Sequence, residues 1–382
     1  MSRADTPPVP SVLRGLAWAW QRGGKGMRRW RFLGRALRVT LLHGGALARW
    51  MAVVVELQSR GLVHDLPGEY LRAVRPSVNR HTGVSQRVLQ LIEHVDWLET
   101  AIQAGYLEQL MRGVPVVLAE LPPPRGYDFI RLQLQAAPPK LVEGELLLTL
   151  QMQRSADGQQ AASVQAAALA FSHFRVQGKG CLLIGGVRGQ RDPVHRVSRI
   201  ELGQALAGWR PSVLLVRVMQ ELAARWRLEL VGLDPSSHRL QGLGSMLSAR
   251  RRDNAARIYA SYDSLWEHFG ARKGPLGWLV LPRQSDEKLE ATDLSPEKRE
   301  SQMRRADFWI RTRKLLRTRL REVLHRGTRE ARLSRNTQSL QPPEWDPNAS
   351  GITVRGQRPE ADPPEDDMVP SRLVETSHGP LR

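Results

Sequence analysis

Apolar residues follow a helical period early in the chain and an alternating period later. Between residues 85 and 111 they recur every three or four positions, which predicts one amphipathic helix with its apolar stripe turned inward. Alternation of apolar and polar residues then predicts three strands, at 129–134, 148–153 and 169–176. A turn at Gly178-Lys179-Gly180 leads to a fourth, fully apolar strand at 181–184. The pattern therefore predicts an antiparallel meander of about four strands.

Downstream of the meander, helical and strand patterns alternate. Helices are predicted at 197–207, 211–226 and 262–269, and strands at 227–233 and 278–281. Pro211 suits the first position of a helix, because proline has no backbone N–H to leave unpaired there. Together with the helix before the meander, this order predicts an α+β fold, with helices flanking a mostly antiparallel sheet.

The net charge is strongly positive and unevenly distributed. The chain has 57 Lys and Arg against 38 Asp and Glu, a formal charge of +19. Residues 1–60 and residues 301–335 each carry +9 and so supply nearly all of it. The sequence predicts four regions: a basic, Trp- and Arg-rich helical arm at 1–60, a globular body at 61–295, a basic amphipathic helix at 296–335 and a disordered acidic tail at 336–382.

The basic arms predict a polyanionic partner. In the first arm Trp18, Trp20 and Trp30 lie among arginines, a mixture that suits the headgroup boundary of an anionic membrane. Arginines such as Arg35 and Arg38 interrupt the apolar run that follows, so a membrane-spanning helix is not expected. The alternatives are that the arms pack on the body with their arginines in water, or that they bind nucleic acid.

The cysteine and histidine content excludes two kinds of structural support. Cys181 is the only cysteine, so the chain forms no internal disulfide, and no spacing of Cys and His offers zinc enough ligands. We therefore expect no metal site. We also expect a reducing, cytoplasmic location, peripheral to the inner membrane if the arms bind lipid.

Four motifs in a fixed order resemble a known family. They are LIGGVRG at 183–189, ALAGWRP at 205–211, His238 and YDSLWEHFG at 262–270. Over roughly residues 30 to 325 the chain resembles the VirK/YbjX family of Gram-negative bacteria. This resemblance implies an association with virulence, envelope stress and resistance to cationic antimicrobial peptides, and it implies no particular chemical activity.

The order of elements is also similar to that of acyl-CoA N-acyltransferases of the GNAT type. In those enzymes two central strands splay, and the N-terminus of the next helix receives the pyrophosphate. A glycine-rich loop after a strand ending at Ile184 occupies the matching position here. The resemblance implies that acyl-CoA binds through the residues of this loop, Gly185, Gly186, Arg188, Gly189 and Arg191. The GNAT phosphate-loop signature is missing at this position, and an ordinary glycine-rich turn is the alternative.

Two residues are candidates for proton transfer. His238 follows a predicted strand end and could accept a proton near neutral pH, whereas Tyr262 could serve as a general acid. Each also has a plain structural role available, as a turn histidine and as a core tyrosine with a satisfied hydroxyl. The sequence leaves open an enzyme that transfers an acyl group to an amine, a non-enzymatic binding or scaffold protein, and a nucleic-acid-binding stress protein.

Overall fold

A computed structural model describes most of the chain before residue 326. The described residues are 12–123, 126–154, 163–190, 197–239, 262–283 and 295–325. The predicted acidic tail at 336–382 lies outside them, and its disorder stays a prediction.

Five helices come first, and four of them pack around one apolar cluster. Their bounds are α1, Val12–Arg22; α2, Met27–Ser59; α3, Leu66–Val74; α4, Val84–Ala101; and α5, Ala104–Met111. A turn at Gly23–Gly26, in which Gly24 and Gly26 have positive φ, reverses the chain between α1 and α2. Trp50 and Val54 of α2 are buried in this cluster with Leu71 of α3 and Leu91 of α4. Part of the basic segment 1–60 therefore packs in the core.

Helix α2 is the one helix, among the described residues, whose length and apolar content would suffice to cross a membrane. Of its most apolar window, 39% is buried inside the protein. Core helices of soluble proteins and signal sequences meet the same criterion, so this feature by itself does not assign a membrane span.

The predicted helix 85–111 is interrupted at Ile102 and Gln103. Ile102 pairs with Leu324 in an isolated antiparallel bridge, and the N–H of Gln103 donates to the carbonyl of Val323 at 3.0 Å. Backbone groups at 102–103 that would have continued the helix therefore pair with the distant segment 323–324. A new helix, α5, begins at Ala104.

In the described part of the chain, eight strands form one sheet. In chain order they are β1, Val116–Leu121; β2, Tyr127–Ala136; β3, Leu146–Arg154; β4, Ser163–Val176; β5, Lys179–Gly189; β6, Glu229–Leu233; β7, Arg272–Lys273; and β8, Trp278–Leu281. Their spatial order is β1-β2-β3-β4-β5-β6-β8-β7. Every neighbouring pair is antiparallel except β5 and β6, which run parallel. The α+β class with a mostly antiparallel sheet is confirmed.

Among the residues that the structure describes after β5, four further α-helices follow. They are α6, Arg199–Ala205; α7, Pro211–Trp226; α8, residues 262–268; and α9, Pro296–Val323. Helices α6 and α7 connect the two parallel strands, and all residues of α7 from Val213 to Ala223 are buried. Helix α9 lies against the β1 edge, where Arg319 Nε donates to the carbonyl of Val117 at 3.1 Å. Its arginines thus serve the fold as well as carrying charge.

Candidate functional site

The two parallel strands part at their carboxyl ends. They pair from Cys181 with Glu229 to Ile184 with Gly232; β6 then ends at Leu233, whereas β5 continues to Gly189 along β4. At the parting, β5 contains a bulge, because Ile184 pairs with Phe171 and Gly186 with Ala170, leaving Gly185 between them. Past Ile184, one edge of β5 is therefore open to other elements. Such a parting is where open α/β sheets commonly hold ligands.

The prediction of a glycine-rich loop after Ile184 is wrong, because this segment is part of a strand. Gly185, Gly186, Arg188 and Gly189 lie inside β5, because pairing with β4 supplies their backbone with partners and outweighs the weak strand preference of glycine. None of these three glycines has a positive φ. The next helix begins only at Arg199 and is not directly joined to the strand. Arg191 lies outside the described residues, and cofactor binding by this group stays a prediction.

Close packing explains two of these glycines. A Cβ atom on Gly185 would lie 2.0 Å from the carbonyl oxygen of Glu143 and 3.2 Å from Val78 Cγ1. A Cβ on Gly186 would lie 3.0 Å from Glu143 Cβ and 3.3 Å from Tyr262 Oη. The segment around Glu143 therefore lies directly on the bulge, and only glycine leaves room for it.

Replacing Gly185 with Ala should destabilise the protein, because the new methyl group meets a backbone oxygen that cannot rotate away. We expect the free energy of unfolding to fall by about 2 kcal/mol or more, as in overpacked cores. Gly189→Ala is the matched control, since nothing lies within 4 Å of its added Cβ. Urea unfolding followed by circular dichroism measures both variants. Equal stability of the two would contradict the close approach of Glu143.

Tyr262 fills the space between the parted strands. The backbone N–H of Val187 donates to Tyr262 Oη at 3.0 Å, so the tyrosine takes the place of a strand neighbour. Burial raises the pKa of the Tyr262 hydroxyl, and the hydrogen bond from Val187 only partly opposes this. The hydroxyl therefore stays protonated at neutral pH and can donate a hydrogen bond of its own. In the same helix, Trp266 Nε1 donates to the carbonyl of Leu233 at 2.9 Å.

Arg188 already has an anionic partner. Its guanidinium forms an ion pair with the carboxylate of Glu143, and the two side chains are 24% and 17% exposed. An incoming phosphate group would compete with this carboxylate. Sequence reasoning missed Glu143, because it lies in a polar connection between β2 and β3 with no motif around it.

His238 lies just past the carboxyl end of β6. A short 3-10 turn, Pro235–Ser237, follows the strand, and the backbone of His238 then bridges to that of Asn79. Burial lowers the pKa of His238 to about 4, and the charge of Arg239 adds to this effect. The imidazole is neutral at pH 7, as the predicted role requires, but it would hold a transferred proton weakly. The surroundings thus suit a hydrogen-bonding role better than a base.

The fold places three of the predicted site residues near the carboxyl ends of the two parallel strands. Tyr262 and Arg188 flank Gly186 at the end of β5, and His238 follows the end of β6. No group of three or more His, Cys, Asp or Glu within the described residues could hold a metal ion. Cys181 is buried, and burial raises the pKa of its thiol to about 11, so it is a poor nucleophile.

Comparison with curated proteins and with solved structures gives no match. A family model does match, from residue 22 to residue 312, and so covers helices α2 to α5, the whole sheet and α9 as far as residue 312. On this match, the chain belongs to DUF535, a family of proteins of unknown function.

Proposed function

We propose that this protein is a VirK/YbjX-type member of its family that binds acyl-CoA and transfers the acyl group to an amine. The biological setting that we propose is the response of Gram-negative bacteria to envelope stress, including cationic antimicrobial peptides. One observation carries the biochemical part: β5 and β6 are the only parallel neighbours in the described sheet, and they part beside Arg188 and Tyr262, with His238 just past the end of β6.

The strand order supports the acyl-CoA proposal. An antiparallel meander, a helical crossover to one parallel strand and a closing antiparallel pair follow the GNAT-like order that the sequence suggested. Fold similarity alone does not assign a reaction, so the residues at the parting must be tested directly.

The residues around the bulge would have separate roles in binding acyl-CoA and in orienting the amine. Arg188 would bind a phosphate group of CoA once Glu143 releases it, and the Tyr262 hydroxyl would hydrogen-bond the acyl-CoA near the bulge. In the reaction the amine nitrogen attacks the thioester carbonyl, the C–N bond forms and the C–S bond breaks. The amine loses a proton and CoA leaves as the thiol. Neutral His238 would orient the amine by accepting a hydrogen bond.

Isothermal titration calorimetry with acetyl-CoA, decanoyl-CoA and free CoA tests the binding step. We expect saturable binding to the full chain and a loss of about tenfold or more in Arg188→Ala, since charge-assisted hydrogen bonds contribute about 1.5–3 kcal/mol. Glu143→Gln should instead strengthen binding severalfold, because it keeps the shape of the side chain and removes the competing charge. Release of the CoA thiol in the presence of a polyamine or a lysine peptide then tests transfer.

Arg131→Ala is the matched control for the arginine variant. Arg131 lies on β2 and pairs with Glu120 on an exposed face, away from the parting. Its loss should leave the affinity for CoA esters unchanged. Absence of binding by both the parent and Glu143→Gln would overturn the proposal and favour a non-enzymatic scaffold. Binding without thiol release would leave a CoA-binding protein that is not a transferase.

A further inference from the structure

Helices α1 and α2 expose an unusual number of large apolar side chains. Of the fourteen such residues that the described structure exposes, eight lie in this helical hairpin. They are Val12, Leu13, Trp20, Met27, Trp30, Leu37, Leu41 and Leu42. We call them the hairpin face. Scattered single apolar residues on a surface need no explanation, but a concentration in one element indicates a contact surface.

The exposed residues of α2 lie on the side opposite to its packed side. Met27, Trp30 and Leu41 fall close together on a helical projection, whereas Ala36 and Val39 face the core cluster and are buried. Trp30 is 60% exposed and Leu41 is 72% exposed. One side of α2 therefore packs against the protein's own core, and a second apolar side is left in contact with water.

The same surface is positively charged without compensation from its own segment. Residues 12–55 contain nine Lys and Arg and no Asp or Glu. Arg28, Arg31 and Arg38 are exposed beside the apolar residues of α2. Of the nine, Arg22 has a partner on another segment, Asp65, at 2.6 Å. The hairpin face thus combines indoles and leucines with guanidinium groups that face solvent.

The indoles cluster near the tip of the hairpin. Trp20 of α1 and Trp30 of α2 meet edge to face with their ring centres 4.9 Å apart, and the Arg29 guanidinium lies 5.0 Å from the Trp20 ring. Indole rings with arginines beside them favour the boundary between lipid headgroups and acyl chains, where the ring is half buried and the guanidinium meets phosphate.

We propose that the hairpin face docks on the surface of an anionic phospholipid membrane, with α2 lying in the plane of the headgroups. A second copy of the chain is a poor occupant, because the contact would bring two strongly positive surfaces together. Duplex nucleic acid would use the arginines, but it offers no apolar surface for Leu41 and Leu42. Crossing the membrane would require α2 to leave its packing against α3 and α4. Anionic lipid matches both the charge and the apolar residues.

Co-sedimentation of the full chain with vesicles tests the proposal. We expect binding to vesicles of phosphatidylcholine and phosphatidylglycerol, at least tenfold weaker binding to pure phosphatidylcholine, and a further steep fall with added salt. Trp30→Ser combined with Leu41→Ser should reduce binding to anionic vesicles about tenfold or more, because two membrane-facing apolar groups are lost. These side chains are more than half exposed, so the variant should fold as the parent does, and the loss of the Trp20–Trp30 contact should lower its melting temperature only slightly.

Ile310→Ser is the matched control, since Ile310 is 62% exposed on the basic helix α9, outside the hairpin face. It should bind vesicles as the parent does. Equal loss in the control and in the hairpin variant would overturn the assignment to this face. Equal binding to neutral and anionic vesicles would overturn the electrostatic part. Salt-sensitive binding to duplex DNA without vesicle binding, or self-association that the hairpin variant abolishes, would replace lipid as the occupant.

Discussion

Replacing Glu145 with Ala is expected to lower the free energy of unfolding by about 3–5 kcal/mol, because it leaves buried Arg87 without its counter-charge and Arg72 with Glu69 as its remaining anionic partner. Glu145 is 5% exposed and forms ion pairs with the guanidinium groups of Arg72 and Arg87. Burial by itself raises the pKa of Glu145, but the two arginines outweigh burial and hold that pKa at about 2. The carboxylate therefore stays ionised at neutral pH and is the centre of the cluster.

The position of Glu145 also joins three parts of the fold. Its N–H donates to the carbonyl of Phe171 on β4, and its carbonyl accepts from Ala137 after β2. Its side chain reaches Arg72 of α3 and Arg87 of α4. Loss of the carboxylate would thus loosen the attachment of the helical cluster to the sheet. It would also leave buried positive charge unbalanced.

Urea unfolding of three variants measures this effect. Glu108→Ala is the matched control, because Glu108 pairs with Arg112 on the surface of α5 with both side chains at least half exposed. We expect it to cost less than about 0.5 kcal/mol. Adding Arg87→Met to the Glu145 variant should recover part of the loss, since it removes one uncompensated charge. A loss below about 1 kcal/mol in Glu145→Ala would contradict the account of a buried cluster.

The periodicity of the chain predicted most of the elements, because burial on one face leaves a local trace in the sequence. The strands at 129–134, 148–153 and 169–176 are confirmed, and Pro211 begins α7 as expected. Strand β1 was not predicted. It is a six-residue run with prolines close on both sides, and its partner β2 and the covering helix α9 decide its conformation.

The features that the sequence did not predict depend on distant partners. The Gly185-Gly186 pair suggested a turn, and only pairing with β4 makes it a strand. Glu145 and Arg72 are 73 positions apart, so no local spacing reveals their contact. For the candidate site, the sequence predicted Tyr262, Arg188 and His238, which the fold brings to one edge of the sheet. It did not predict the ion pair between Arg188 and Glu143, or the hydrogen bond from the β5 backbone to the Tyr262 hydroxyl.

Two buried histidines should make the protein lose stability as the pH falls below about 6.5, the ordinary pKa of histidine. His94 Nδ1 accepts a hydrogen bond from the N–H of His173 at 3.0 Å, and Trp97 stacks on the His173 ring with centres 5.1 Å apart. Within the described residues, neither His94 Nε2 nor His173 Nδ1 has a hydrogen-bond partner.

Burial is the largest cause of a lowered pKa at both rings. It lowers the pKa of His94 to about 4, with Arg72 and Arg87 adding to the shift and Glu145 opposing it. It lowers the pKa of His173 to about 3, with His94 and Arg175 adding to the shift. In the unfolded chain both imidazoles have their ordinary pKa near 6.5, so below that pH the unfolded state binds protons that the folded state does not.

The stability from these histidines is therefore complete above about pH 6.5 and falls as the pH drops toward 4. At pH 5 we expect each histidine to have removed on the order of 2 kcal/mol from the free energy of unfolding, relative to pH 7.5. The Glu145 contribution is lost only below its unfolded pKa near 4.5, as the pH falls toward 2. Measurements above pH 5 therefore separate the two effects.

Urea unfolding at pH 7.5 and pH 5.0 tests the histidines. His94→Gln has no titrating group, so its loss of stability between the two pH values should be smaller than that of the parent by about 2 kcal/mol. His94→Gln combined with His173→Gln should reduce the loss further. His64→Gln, at an exposed position between α2 and α3, should leave the difference unchanged. If His94→Gln loses as much stability on acidification as the parent, His94 does not stay neutral in the folded protein and the acid sensitivity has another source.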